Sequence, residues 1–305
     1  LTMHGIQKGI MQLIDIKRAN QLYNKFGTQP EVSGGSGANT IVGLASLDVP
    51  TCYIGKVKND PLGKKFYDDL ISFGVDYTTA FAKQSNSSET GRCIIFVTPD
   101  GERSLNTYLG VSENLNVDDV ESSKIAQSDW IYLEGYRFDG AKSEQAFSKA
   151  IITARKNFCK IALTLSDPFC VERNLISFKK IVSNDIDLLF CNEVELKLLY
   201  QTDDLDTAIE KGSKDVELLA CTVAEKGAIL AQYGNIVTVP AKEIRVLDTT
   251  GAGDLFAAGF FYGLIHKKSI EQCGEMGNLA ASEIISHFGA RPEIELNVLF
   301  KNHGF

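Results

Sequence analysis

The run Val246-Leu-Asp-Thr-Thr-Gly-Ala-Gly-Asp-Leu-Phe-Ala-Ala-Gly-Phe-Phe-Tyr-Gly263 is the segment of this 305-residue chain whose residue types best suit chemistry. An apolar strand end leads into Asp248-Thr249-Thr250, a tight Gly251-Ala252-Gly253 turn follows, and a helix starts near Asp254. Glycines let the backbone pass close to a bound group. The free N–H groups of a first helical turn, reinforced by the helix dipole, then attract an anion. A carboxylate beside such an anion hole suits phosphoryl transfer: the amides stabilise charge on the moving phosphoryl, and Asp254 accepts the hydroxyl proton. A capped helix after a glycine turn explains the same residues, and the segment alone supports both readings equally.

Three further clusters bear on this choice. Ser33-Gly-Gly-Ser-Gly-Ala-Asn39 is a glycine-rich turn leading into a helix-compatible stretch at 40–47. It fails as a dinucleotide fingerprint, because position 40 is Thr where Gly or Ala is required and Gln29-Pro-Glu31 is a poor preceding strand. No Walker A loop is present either, since Gly63-Lys64 is followed by Lys65. Asn192 and Glu195 stand three apart at a helix start and share one face just past a strand ending at Phe190. Oxygen ligands of that kind suit Mg²⁺, which keeps several of its waters; capping by Asn192 with a solvated Glu195 is the competing reading. Lastly, two strand-like runs at 92–98 and 103–108 flank Pro99-Asp-Gly-Glu102. That pattern is a hairpin, either a lid over a ligand or an ordinary antiparallel edge.

These groups need a scaffold, and the rest of the sequence predicts one. Strands are expected at 51–57, 130–133, 160–165, 186–190 and 218–223, with helices at 60–73, 143–157, 171–181, 193–200 and 207–212. Asp60-Pro61 caps the first helix and Gly74 ends it. Alternation of strand and helix over 200 residues implies right-handed crossovers and a doubly wound, mostly parallel α/β sheet flanked by helices. At 44% hydrophobic residues the chain can bury a large core. A net charge of -8 argues against a nucleic-acid surface, and no apolar run approaches the ~20 residues of a membrane helix. The start, 1–15, lacks the features of a secretion signal. The seven Cys form no C-x-x-C pair and the four His stand at no ligand spacing; buried reduced thiols in a cytoplasmic protein are expected, without zinc.

Asp248-Thr-Thr-Gly-Ala-Gly-Asp254 with its small-residue helix resembles the C-terminal motif of the PfkB (ribokinase-like) kinases, and the resemblance runs over nearly the whole chain. It implies a single ribokinase-like domain over 1–305 with a small β lid at about 1–15 and 88–110. It also implies an enzyme that moves the γ-phosphoryl of ATP, with Mg²⁺, to a primary hydroxyl of a small molecule. By the same resemblance Asp254 is the base, and the backbone of Gly251, Ala252, Gly253 and Asp254 forms the anion hole. Gly34, Gly35 and Asn39 approach the acceptor hydroxyls, and Asn192 and Glu195 place the metal through water. Thr222, Glu225, Gly227 and Asn278 border the nucleotide, although many members carry Gly where this chain has Ala224. Asp248 and Thr250 are candidates for a K⁺-type cation, set against a buried Asp simply bonded to backbone. Arg103 matches in kind a lid arginine of the adenosine kinase branch, set against a plain surface arginine.

The runs 100–110 and 163–171 look closer to adenosine kinase and its bacterial relatives than to ribokinase, so adenosine is the favoured acceptor, ahead of ribose or fructose. A non-catalytic sensor on the same fold is the rival from another class. Family members range from monomers to lid-paired dimers. The chain departs from the family at its beginning, where a first core strand carrying the substrate Asp is expected and 9–15 already resembles the segment after it.

Overall fold

In the computed structural model, residues 1–26, 31–83, 88–99, 102–139 and 142–305 are described. They build two sheets. The small one holds β1 (Met11–Leu13), β2 (Arg92–Val97) and β3 (Arg103–Tyr108) in the order β1-β3-β2, with β1 parallel and β2 antiparallel to β3. The hairpin is therefore present; its turn residues Asp100 and Gly101 lie outside the described residues. The large sheet runs in sequence order through β4 (Trp130–Glu134), β5 (Lys160–Thr164), β6 (Leu188–Asn192), β7 (Leu218–Thr222), β8 (Ala228–Gln232) and β9 (Asn235–Val239). Strands β4 to β7 are parallel, and β8 and β9 continue antiparallel.

Eleven helices are described: α1 (Ile16–Phe26), α2 (Ser36–Ala45), α3 (Pro61–Ser72), α4 (Ser122–Ala126), α5 (Ser143–Lys156), α6 (Pro168–Asp185), α7 (Glu193–Tyr200), α8 (Leu205–Asp215), α9 (Ala252–Ile265), α10 (Ile270–Ile284) and α11 (Leu296–Asn302). The strand period of two sorts the sheet's side chains into two cores. Ile161, Leu163, Leu189, Cys191, Leu219 and Cys221 pack with α4 to α8, while Ala162, Leu188, Phe190, Leu218 and Ala220 pack with α2, α9, α10 and α11. Burial on both faces is why β5 to β7 read as unbroken apolar runs.

Three expectations need correction. Residues 51–57 are extended but form no strand: Cys52 and Lys58 make single bridges to Asp76 and Ala82. The ring of Tyr53 lies over Gly55, a residue that weakens a strand interior, and Val49–Val57 line an open cleft instead of a second ladder. The helix expected from residue 40 begins at Ser36, because Gly35 takes φ 93° as its N-cap and releases the chain into the helix one turn early. All seven cysteines are free, but only five are buried: Cys52 is partly exposed and Cys93 is exposed, the latter in register with Thr107 on the open face of the small sheet. Among the described residues no strand pairs with the outer edge of β4, and no helix is long and apolar enough to cross a membrane.

Candidate active site

The parallel strands end at Glu134, Thr164, Asn192 and Thr222, and all four line one cleft of about 2330 Å³. Ligands of open α/β sheets sit at these carboxyl ends. The cleft floor is set by the packing of α2 on α9. A Cβ on Gly43 would meet Ala258 Cβ at 2.8 Å and Leu255 Cδ1 at 3.0 Å, so only glycine allows this approach. Ser36, Asn39, Thr40 and Gly43 recur at helical spacing and face α9 together.

Asp254 sits in the first turn of α9, half-buried, and α2 holds both of its oxygens. Ser36 Oγ donates to Oδ1 and Asn39 Nδ2 to Oδ2, each at 2.7 Å, and Thr40 Oγ1 donates to the Asp254 carbonyl at 3.1 Å. Burial pushes its carboxyl above the usual range, opposed by these two donors and by the charges of Arg103 and Arg291. Gly251, with φ 82°, makes the turn into the helix. Ala252 N–H leans on Thr249 O at 3.3 Å, while nothing lies within 4 Å of the Cβ position of Gly253, which opens on the cleft. The arrangement puts a held carboxylate next to outward amides of a helix start. It can accept a proton at Asp254 and carry an anion beside it.

Glu134 closes the wall opposite. Its Oε2 accepts from Gly37 N–H at 3.0 Å, a contact a side chain at Gly37 would fill. Burial raises its carboxyl, partly offset by that hydrogen bond and by Arg137. Gly34 and Gly35 line the same cleft, and no atom lies within 4 Å of a Cβ placed on Gly34. Arg103, the first residue of β3, also lines the cleft, close enough for its charge to act on Asp254, Tyr136 and Asp167.

Asn192 and Glu195 close a full capping box. Asn192 Oδ1 accepts from Glu195 N–H at 2.9 Å, Asn192 N–H donates to Glu195 Oε2 at 3.0 Å, and Asn192 Nδ2 donates to Oε1 at 2.7 Å. Capping is thus observed, but Glu195 is buried and not solvated as the competing reading had it, its carboxyl raised to about 7 by burial, with Asp167 adding to the rise. Asp167, N-cap of α6, is raised by burial as well. Asn192 and Glu195 line the cleft, Asp167 is near enough for its charge to act on Glu195, and oxygen donors of this kind suit a hard cation that keeps its own waters. No group of three or more His, Cys, Asp or Glu is arranged to hold a metal among the described residues, so the fit is to a water-bridged ion.

The remaining candidates divide. Asp248 is buried and its oxygens are already engaged: Oδ1 accepts from Thr250 N–H (2.9 Å) and Oγ1 (2.6 Å), and Oδ2 from Gly289 N–H (3.3 Å). Thr222 and Ala224 line the cleft, whereas Glu225, Gly227 and Asn278 lie off it. Gly227 has its own structural reason, since φ 98° and the carbonyl of Val239 exclude any side chain. Asn278 Nδ2 braces the carbonyls of Val239 and Pro240, at 3.0 and 3.1 Å. Ala224 adopts φ 50°, a conformation glycine takes at no steric cost.

Residues 10–296 match the pfkB family of carbohydrate kinases. The chain belongs to that family. Among its relatives, an uncharacterized sugar kinase of Archaeoglobus fulgidus is 30% identical over 258 residues, 84% of this chain and all of that one. The ribokinase of Haemophilus influenzae is 27% identical over 269 residues, 86% of this chain and 83% of that one. The solved adenosine kinase of Sinorhizobium meliloti superposes with a TM-score of 0.96 at 40% identity, covering all of this chain and 93% of the other. As a pfkB-family kinase the chain transfers phosphoryl to a hydroxyl acceptor of the sugar or nucleoside class.

Three residues of this pfkB-family site stand outside the sequence candidates: Ser36 and Glu134 line the cleft, and Arg291 backs Asn39. Ser36 lay inside the quoted glycine cluster, yet its partner is 218 positions away. Glu134 carried a readable signal, an acid ending an apolar strand at the ligand-bearing edge. Arg291 stands in the run 286–292, which resembles the family's C-terminal loop, but nothing local distinguishes its side chain from a surface arginine.

Proposed function

We propose that this kinase phosphorylates a nucleoside, adenosine ahead of a free sugar, on a primary hydroxyl, with ATP as donor and Asp254 as base. The observation that carries the reading is the Asp254 carboxylate. It is held by Ser36 and Asn39 at the start of α9, beside the open amide side of Gly253. In this reading the acceptor hydroxyl lies against Asp254, with Gly34, Gly35, Asn39 and Glu134 around its neighbours. The amides of Gly251 to Asp254 stabilise charge on the moving group, and Arg103 on the small sheet offsets charge from above. Asp167, Asn192 and Glu195 are the residues that would hold Mg²⁺ through its waters, and the ion, when bound, supplies neutralisation of the phosphates. Thr222 and Ala224 border the nucleotide. Asp248 and Thr250 act as a brace to Gly289.

The choice of acceptor rests on the small sheet. Strand register places Leu13, Ile95, Val97 and Leu105 on the face that carries Arg103, and all of them line the cleft. Leu13 is 46% and Ile95 39% exposed, an apolar surface that a planar base would cover and a free sugar would not. The Sinorhizobium meliloti neighbour, an adenosine kinase, agrees with this choice. ADP release measured with adenosine, other nucleosides, ribose and fructose tests it. Adenosine is expected to give the highest kcat/KM, and a larger value for ribose or fructose overturns the nucleoside assignment.

A further inference from the structure

Arg291 lies in the loop after α10, and its side chain is 14% exposed. Its Nη1 donates to Asn39 Oδ1 and its Nη2 to Asp69 Oδ2 on α3, the latter at 3.1 Å. A guanidinium has donors only, so the Asn39 atom facing it must be the carbonyl oxygen. The Asn39 NH₂ group is then forced toward Asp254, where it donates to Oδ2 at 2.7 Å. Were the amide reversed, its oxygen would face the Asp254 carboxylate and its NH₂ would face Arg291, two repulsive contacts in place of two hydrogen bonds. Among the described residues the buried Nε of Arg291 has no acceptor. An unpaired buried donor is unfavourable, so the two Nη contacts must hold the guanidinium in place.

We propose that Arg291 is a positioning residue for phosphoryl transfer, fixing the Asn39 amide so that its NH₂ must hold the Asp254 carboxylate from a loop 37 residues further along the chain. The inference rests on Asp254 being the base. Charged and titratable groups acting on Asp254 or acted on by it are Arg103 of β3, Arg291, Tyr132 and Glu134 of β4, and Tyr136. Loss of Arg291 removes one of the two cations among them.

Three variants separate positioning from simple support. Arg291→Met is expected to lower kcat by about 10- to 100-fold, to leave KM for ATP within about twofold, and to move the ascending limb of the kcat–pH profile to higher pH. Arg291→Lys restores the charge but not the two-pronged contact, so the limb returns while kcat stays low. Asp69→Asn keeps an acceptor for Nη2 and is expected to leave kcat and the limb in place. Parent-like kcat in Arg291→Met overturns the proposal, and so does an Asp69→Asn variant with the full deficit of Arg291→Met. A cycle of melting temperatures for Arg291→Met, Asp254→Asn and the double variant needs no turnover. Non-additivity of about 2 °C or more supports the relay, and additive shifts overturn it. If the parent phosphorylates no acceptor, the kinase reading fails while this cycle still decides the Arg291 contact.

Discussion

Gly43→Ala isolates the link between packing and chemistry. The added methyl would lie 2.8 Å from Ala258 Cβ and 3.0 Å from Leu255 Cδ1, where ordinary contact begins near 3.4 Å. Ala258 Cβ is short and fixed to the helix, so the strain is relieved by moving α2 and α9 apart by roughly 0.6 Å. Ser36 and Asn39 ride on α2, and their 2.7 Å bonds to Asp254 would stretch past 3.2 Å, the limit of a good hydrogen bond. Overpacking costs about 1–3 kcal/mol, while replacing a helical glycine by alanine returns about 1 kcal/mol. Net destabilisation is therefore small, about 0–2 kcal/mol, a fall in Tm of no more than about 8 °C. Displacement of a base by a sizeable fraction of an ångström is far more damaging to rate, about 10- to 100-fold in kcat. The measurement is kcat by ADP release together with Tm by calorimetry. A variant with lowered Tm and kcat within about twofold of the parent would refute the claim that α2 on α9 sets the position of Asp254.

Other outcomes follow from the same geometry. Asp254→Asn is expected to lower kcat by about 10²- to 10⁴-fold in a steady-state assay, and the parent's kcat should rise with pH through a limb above the ordinary carboxylate range, because burial raises Asp254. The raised carboxyl keeps its proton in the folded chain where the unfolded chain has lost it, so Asp254 lowers stability as pH rises above about 4. Calorimetry should accordingly find Asp254→Asn more stable than the parent at pH 7, with the gain vanishing toward pH 3. Ala224→Gly relieves a left-handed backbone at φ 50° and is expected to raise Tm by about 1–3 °C, since the relief of about 1–2 kcal/mol exceeds the entropy gained by the unfolded chain; a lower Tm would contradict it. Chelation by EDTA should abolish turnover yet shift Tm by less than about 1 °C, because no group of three or more metal-ligating side chains is found among the described residues.

Local patterns were legible from sequence alone. The Gly251-Ala252-Gly253 turn and the acid after it lie within one helical turn, and backbone conformation there depends on neighbours in the chain. The parallel core was readable for a similar reason: residues 160–165, 186–190 and 218–223 are apolar on both faces, as strands covered by helices on each side must be. The β8–β9 hairpin escaped notice because its outer strand alternates weakly, with Asn235, Ile236 and Thr238 all exposed at the edge.

What the sequence determined by itself was thus the kind of chemistry and the scaffold able to carry it. Only the tertiary structure decided which groups surround Asp254. Ser36 and Asn39 reach Asp254 across 218 and 215 positions, Arg291 reaches Asn39 across 252, and Gly43 matters only because α9 lies against it. Hydrogen bonds and close packing act over a few ångströms in space, and spacing along the chain records them only when the partners share one element.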